Sequence, residues 1–178
     1  MYNANYMNQY PYYENNPMDY TSFSNQFPNQ YVPMPYGVEN ANPIILKDYG
    51  PEPFVVNIDE ATKQNNAFRR ALWTGTHLQL TLMSIRVGED IGLEIHPNLD
   101  QFIRIEEGQG LVKMGNRKDK LEFQEYVNKD YAFIIPAGKW HNLINTGSIP
   151  LKLYSIYAPP QHSSGTVHET KAAAQAAE

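Results

Sequence analysis

The sequence predicts an all-β fold, a sandwich or barrel of many short strands, and three observations carry that prediction. Short runs rich in β-branched and aromatic residues recur along the chain, with Gly, Pro and Asn between them at fairly even spacing. From His77 to Val87 the pattern alternates: Leu78, Leu80 and Leu82 fall on one face, and His77, Gln79, Thr81 and Met83 on the other. Helix signals are confined to two short stretches, so helical content is expected to be small.

The domain is expected to span residues 44–160. Ile44-Ile45-Leu46 opens it, and Gly50-Pro51-Glu52-Pro53 punctuates the chain before Phe54-Val55-Val56, a β-rich segment. Asn57 or Asp59 can cap a short helix through Ala61 to Asn66, with Asp59 and Glu60 in its first turn. Arg70 to Thr74 reads as a strand, and Thr74-Gly75-Thr76 as a hairpin turn. In the alternating stretch that follows, the leucine face is core. The polar face lines a pocket inside a barrel or meets solvent, and alternation does not choose between them. His77 is accordingly read either as an ordinary surface histidine or as a pocket-wall residue beside Gln79.

Gly110 to Met114 is a strand that turns at Gly115-Asn116 into a second one, Lys120 to Val127. The charges of Arg117, Lys118, Asp119 and Lys120 at the tip are read as keeping a hairpin soluble. Tyr131 to Ile135 is apolar and β-rich, and Leu151 to Tyr157 forms a last long strand closed by Pro159-Pro160. Residues 161–178 read as a tail. Thr166-Val167-His168-Glu169 has the pattern of a capping box, so a short helix can follow it, marginal unless it docks. His162 and His168 are expected to be solvent-facing or, on the sharper reading, folded back over a barrel mouth.

Two stretches carry candidate chemistry. In GEDIGLEIHPNLDQFIRIEEG, Gly88 to Gly108, Glu94 and His96 stand two apart and so share a strand face. Pro97-Asn98 lets the chain reverse, which would put Gln101 on a partner strand beside them. With Gln101 inward, alternation turns Ile103 and Ile105 inward and leaves Phe102, Arg104 and Glu106 outside. In DYAFIIPAGKWHNLIN, Asp130 to Asn145, Pro136-Ala137-Gly138 is a turn and His141 opens the next strand. One carboxylate, two imidazoles and an amide oxygen form a donor set for a divalent first-row metal.

Both stretches resemble the two signature motifs of the cupin superfamily. Gly88, Glu94, His96, Gln101 and Gly108 fall on the first motif at its spacing, with Glu94 where a histidine is expected and Gln101 where a glutamate is. Pro136, Gly138, His141 and Asn145 fall on the second, with Asp130 in place of its leading glycine. The resemblance implies a double-stranded β-helix, a jelly-roll barrel whose wider end gathers Glu94, His96, Gln101 and His141 around one divalent transition metal, Zn, Mn, Fe or Ni. A Gln, His, Glu, His set is similar to that of mannose-6-phosphate-isomerase-like cupins. Open coordination positions suit isomerase- or dioxygenase-like chemistry on a small molecule. His77, Gln79, Ile103 and His162 are the pocket candidates. The bland alternative is a hydrogen-bonded network of Glu94, Gln101 and His96 that needs no ion.

Composition narrows the partners. The formal charge is −5, which argues against nucleic acid, and there is no cysteine for disulfides or thiolate ligands. No apolar run is long enough to cross a membrane, and the N-terminus shows no basic-then-apolar leader, so a cytoplasmic location is expected. Residues 1–43, rich in Asn, Tyr, Pro and Gln, read as a low-complexity tail, solvated or adhesive. Their composition is similar to that of spore-coat proteins, so the competing reading is a non-catalytic structural protein, spore-coat located, whose tail mediates assembly. A homodimer is expected in either case, with Phe102 and Trp140 as candidates for an outer-face interface.

Overall fold

The computed structural model describes residues 43–177, and these form a two-sheet β-barrel with two short helices. In chain order the elements are α1 (Ile58–Gln64), β1 (Arg69–Thr74), β2 (Gln79–Ile85), β3 (Glu94–Ile95), β4 (Asp100–Glu107), β5 (Gln109–Gly115), β6 (Phe123–Asn128), β7 (Ala132–Ile135), β8 (Trp140–Asn145), β9 (Leu151–Ala158), β10 (Val167–His168) and α2 (Lys171–Gln175). One sheet has six strands in the order β10-β1-β2-β9-β4-β7, and the other four in the order β3-β8-β5-β6. Every pairing is antiparallel. The expected low-complexity tail lies outside the described residues.

Cross-strand register explains where the inner surface changes from greasy to polar. Side chains directly opposite each other share a face, so Ile105, Leu153 and Met83 form one inward row. The next row is Ile103, Ser155 and Thr81, and the row after that is Gln101, Tyr157 and Gln79. All nine are buried. Ile103, Ile105, Met83 and Leu153 meet Val112, Leu143 and Val127 of the facing sheet in the main core. The polar face of β2 therefore points into the barrel. Its leucine face packs outward, where Leu72, Leu82 and Ala61 join Ile44, Leu46, Phe54 and Val56 in a second cluster.

That second cluster corrects one expectation. Phe54 to Val56 forms no strand; the segment is a strap laid over β1 and β2, and Val55, between two anchored neighbours, is 96% exposed. The first helix begins where the capping pattern put it, with the Asn57 side chain accepting from the Glu60 amide. Glu106 was expected outside, yet it is buried at 2% relative exposure. The register of β4 slips between Ile105 and Glu107, and the carboxylate of Asp59 on α1 lies close enough to Glu106 to act on its charge. Burial pushes the Glu106 carboxyl above the usual range.

Asp130 sits at φ +72°, the left-handed conformation in which glycine is at ease. Its amide donates to the Ile105 carbonyl at 2.9 Å. The backbone thus retains the shape that a leading glycine would give, and an aspartate tolerates it better than most residues. The C-terminal stretch is not a solvent-facing tail. Val167 and His168 pair with Arg70 and Arg69 as the sixth strand, and α2 docks through Ala174, buried in the main core. Thr170 caps this helix, accepting from the Ala173 amide, so it starts later than the capping-box pattern at Thr166 suggested.

Candidate metal centre

Two tight turns and one strand pairing assemble the cluster. β3 pairs with β8 so that Glu94 lies directly opposite His141. His96 follows two residues after Glu94, and its carbonyl accepts from the Gly138 amide at 2.8 Å. The Pro136–Lys139 turn is tied from its other side by Asp100, which accepts from the Ala137 amide at 2.8 Å. As a result one ligand atom from each of Glu94, His96 and His141 lies within 4.8 Å of the others.

Gln101 arrives differently from the sequence expectation. After Pro97-Asn98 the chain does not pair back on β3; it crosses to the six-stranded sheet, where Gln101 stands between Ile135 and Tyr157. A strand of two residues is too short to hairpin, and Leu99, buried at 7%, pulls the crossing inward. Gln101 still faces the barrel interior, since its cross-strand neighbour Tyr157 has its ring 5.8 Å from that of His96. Its Nε2 donates to Ser155 Oγ at 2.9 Å.

The unsatisfied atoms are informative. His96 Nε2, His141 Nε2 and Gln101 Oε1 are all buried and make no hydrogen bond within the protein. His141 Nδ1 lies 3.0 Å from the Lys139 carbonyl. A carbonyl can only accept, so Nδ1 carries the proton and Nε2 presents a lone pair. Burial lowers the His141 pKa, which keeps the ring neutral, the form a cation requires. Burial raises the Glu94 pKa, but the His96 contact at 3.4 Å, with Arg69 and His141, outweighs it and holds the carboxyl below its usual range. Leaving several polar atoms buried and unpaired is costly, and a cation at their centre satisfies them. The donor set therefore fits a divalent transition metal.

Sequence reasoning missed Arg69, 1% exposed, whose Nη2 approaches Glu94 Oε1 at 3.4 Å. Its signal was its place two residues before Ala71 on the inward face of β1. Above the cluster opens a cavity of about 610 Å³, with Glu94 and His96 in its floor. Of the four pocket candidates, His162 alone lines it. His77 is exposed in the β1–β2 turn, outside the site, because strand pairing begins only at Gln79. Ile103 is 0% exposed in the hydrophobic core. Gln79 is buried, and its amide is committed elsewhere: Nε2 donates to the His162 carbonyl and to Thr74 Oγ1, both at 2.9 Å, and Oε1 accepts from the His162 amide at 3.0 Å.

These bonds hold the His162 loop over the mouth. Asp48 completes the clamp, accepting from Thr74 Oγ1 at 2.6 Å, Ser164 Oγ at 3.0 Å and the Gly165 amide at 2.8 Å. The His162 ring meets Tyr157 edge-on at 5.2 Å, and desolvation, with Arg69 nearby, pushes its pKa down to about 3. Trp140 alternates with the inward His141 on β8 and so projects from the outer face of its sheet, at the rim of the cavity that it helps to line. Phe102 likewise lies on an outer face, 6.1 Å from the Tyr154 ring.

A barrel of this topology with an acid and two histidines at its mouth defines the cupin class. The chain belongs to the cupin superfamily: residues 81–157 match the cupin domain model. It is 71% identical over 135 residues to the uncharacterised protein YrkC of Bacillus subtilis, covering 76% of this chain and 73% of that one. The crystal structure of BH2720 from Bacillus halodurans superposes with a TM-score of 0.73 at 74% identity, over 73% of this chain and 98% of that chain. A Klebsiella pneumoniae protein with a double-stranded β-helix domain shares the fold at 18% identity and a TM-score of 0.51, over 67% of this chain and all of its own.

Proposed function

We propose that this protein binds one divalent transition metal through Glu94, His96, His141 and Gln101, and uses it to hold a small molecule in the cavity above. The observation that carries this reading is the set of buried nitrogen and oxygen atoms without partners beside the Glu94 carboxylate. A purely hydrogen-bonded network is the weaker account, because it would pair His96 Nε2 with Glu94, 3.4 Å away, and still leave His141 Nε2 and Gln101 Oε1 buried without partners. The ion would supply Lewis acidity toward a chelating ligand, with coordination positions left open as isomerase- or dioxygenase-type chemistry requires. Around it, Lys139 fixes the His141 tautomer through its carbonyl, Arg69 anchors the Glu94 carboxylate, and the clamped loop restricts access of water. His162, with its pKa near 3, is a weak base and serves as a neutral hydrogen-bonding wall.

Elemental analysis of the purified full chain tests this. Near-stoichiometric transition metal is expected in the wild type and less than a tenth of it in the His96→Ala, His141→Ala double variant. Equal metal in both, or none in a wild type offered Zn, Mn, Fe and Ni, refutes the proposal.

A further inference from the structure

The β5–β6 hairpin tip gathers four charges, Arg117, Lys118, Asp119 and Lys120. Its charges are paired in cis with one exception. Arg117 grips Asp119 at 3.0 and 2.7 Å, and Lys120 meets Glu122 at 3.0 Å. Lys118, among the described residues, has no carboxylate partner; its Nζ stands 5.4 Å from the centroid of the Trp140 ring, and both residues line the cavity over Glu94 and His96. A lysine held over an indole face is partly stripped of freedom and aimed, which is how a fixed point charge is presented to a ligand.

The charge balance of the cavity points the same way. Among the described residues its lining holds a single acid, Glu94, already beside Arg69. Gln161, His162, Ser163 and Thr166 add amide, neutral imidazole and hydroxyl groups to the lining. The lining thus sets one lysine against one glutamate, and Arg69 beside Glu94 leaves the Lys118 charge available to a ligand. The cavity has one flat aromatic side, Trp140, and one polar side. A ligand that fits both walls has a planar or ring body, polar edges and a negative group.

We propose that the cavity is an anion subsite, that its ligand is a small organic carboxylate or phosphate ester, and that Lys118 is the residue that reads the negative charge while Trp140 receives the ligand's flat body. This rests on the metal reading for what the other end of the ligand touches, but the role of Lys118 stands apart from it. The two sources of negative charge are distinguished by the probes.

The test is calorimetric titration of the metal-loaded full chain with benzoate, phenyl phosphate and the neutral isostere benzamide. Wild type is expected to prefer at least one anion over benzamide, with affinity falling as salt rises. Lys118→Gln should weaken that anion about fivefold to tenfold and leave benzamide unchanged, and Lys118→Arg should restore most of the loss. Tighter benzoate assigns a carboxylate, and tighter phenyl phosphate a phosphate ester. The same pair of Lys118 variants is then compared in the His96→Ala, His141→Ala background. If the metal reading alone is at fault, the Lys118 contrast persists there. Anions that bind no better than benzamide, that do not bind at all, or that ignore Lys118→Gln overturn the proposal. Lys118 is an exposed tip residue, so its substitution leaves the fold intact, which a thermal melt confirms.

Discussion

Replacing Gln79 by leucine isolates what holds the roof of the cavity. Leucine keeps nearly the same volume at a position with 0% exposure, so packing is little disturbed and the loss is confined to the amide. Two main-chain hydrogen bonds to His162 disappear, at 2.9 and 3.0 Å, together with one to Thr74 Oγ1. Each is worth about 1 kcal/mol net, so the free energy for opening the His162 loop should fall by roughly 2 kcal/mol. At about 1.4 kcal/mol per factor of ten, that is a roughly 30-fold rise in amide exchange. The global cost should be smaller, because the freed groups regain water when the loop opens. Hydrogen exchange followed by mass spectrometry reads this directly, with a peptide covering 160–166 compared against the β9 peptide as an internal reference. Retained slow exchange in the loop, or an equal rise in β9, would refute the clamp: the first would mean that Asp48 holds the loop unaided, the second that the barrel itself had loosened.

Asn145, 2% exposed, donates to the Ile85 and Ile149 carbonyls and accepts from the Gly147 amide, so Asn145→Ala should cost roughly 2–4 kcal/mol in denaturant unfolding. The His162 pKa is about 3 when folded, against the ordinary histidine value when unfolded. The unfolded chain therefore binds more protons between those values, and stability should fall as pH drops from about 6.5 toward 3. In His162→Phe the urea midpoint should vary less with pH across that window. Removing metal with a chelator should lower the wild-type melting temperature, by the equivalent of about 4 kcal/mol where free metal had exceeded Kd about a thousandfold, and leave the His96→Ala, His141→Ala variant unmoved.

Much of this molecule could be read in advance because the relevant signals are local. Alternation placed β2 and β9, turn residues placed the hairpins, and motif spacing put Glu94 and His96 on one face. The errors fall where placement depends on distant partners. Alternation names two faces of a strand without saying what covers them, so Glu106 looked outward until α1 lay over it. Gln101 was sent to a neighbouring strand because spacing within a motif says nothing of a crossing between sheets. The His162 loop and β10 are fixed by Gln79, Asp48 and β1, contacts that span 80 or more residues and leave no local trace.

The proposed donors do not come from one sheet. Glu94 and His141 belong to the four-stranded sheet, while Gln101, buttressed by Ser155, belongs to the six-stranded one. An ion gripped from both sides would rivet two plates together, and its bite would depend on the gap that Ile103, Leu143 and Leu153 set between them. Trimming a single methyl group from that filling, far from any ligand, would change the grip on the cation; affinity for metal is then a gauge of how tightly the barrel is packed.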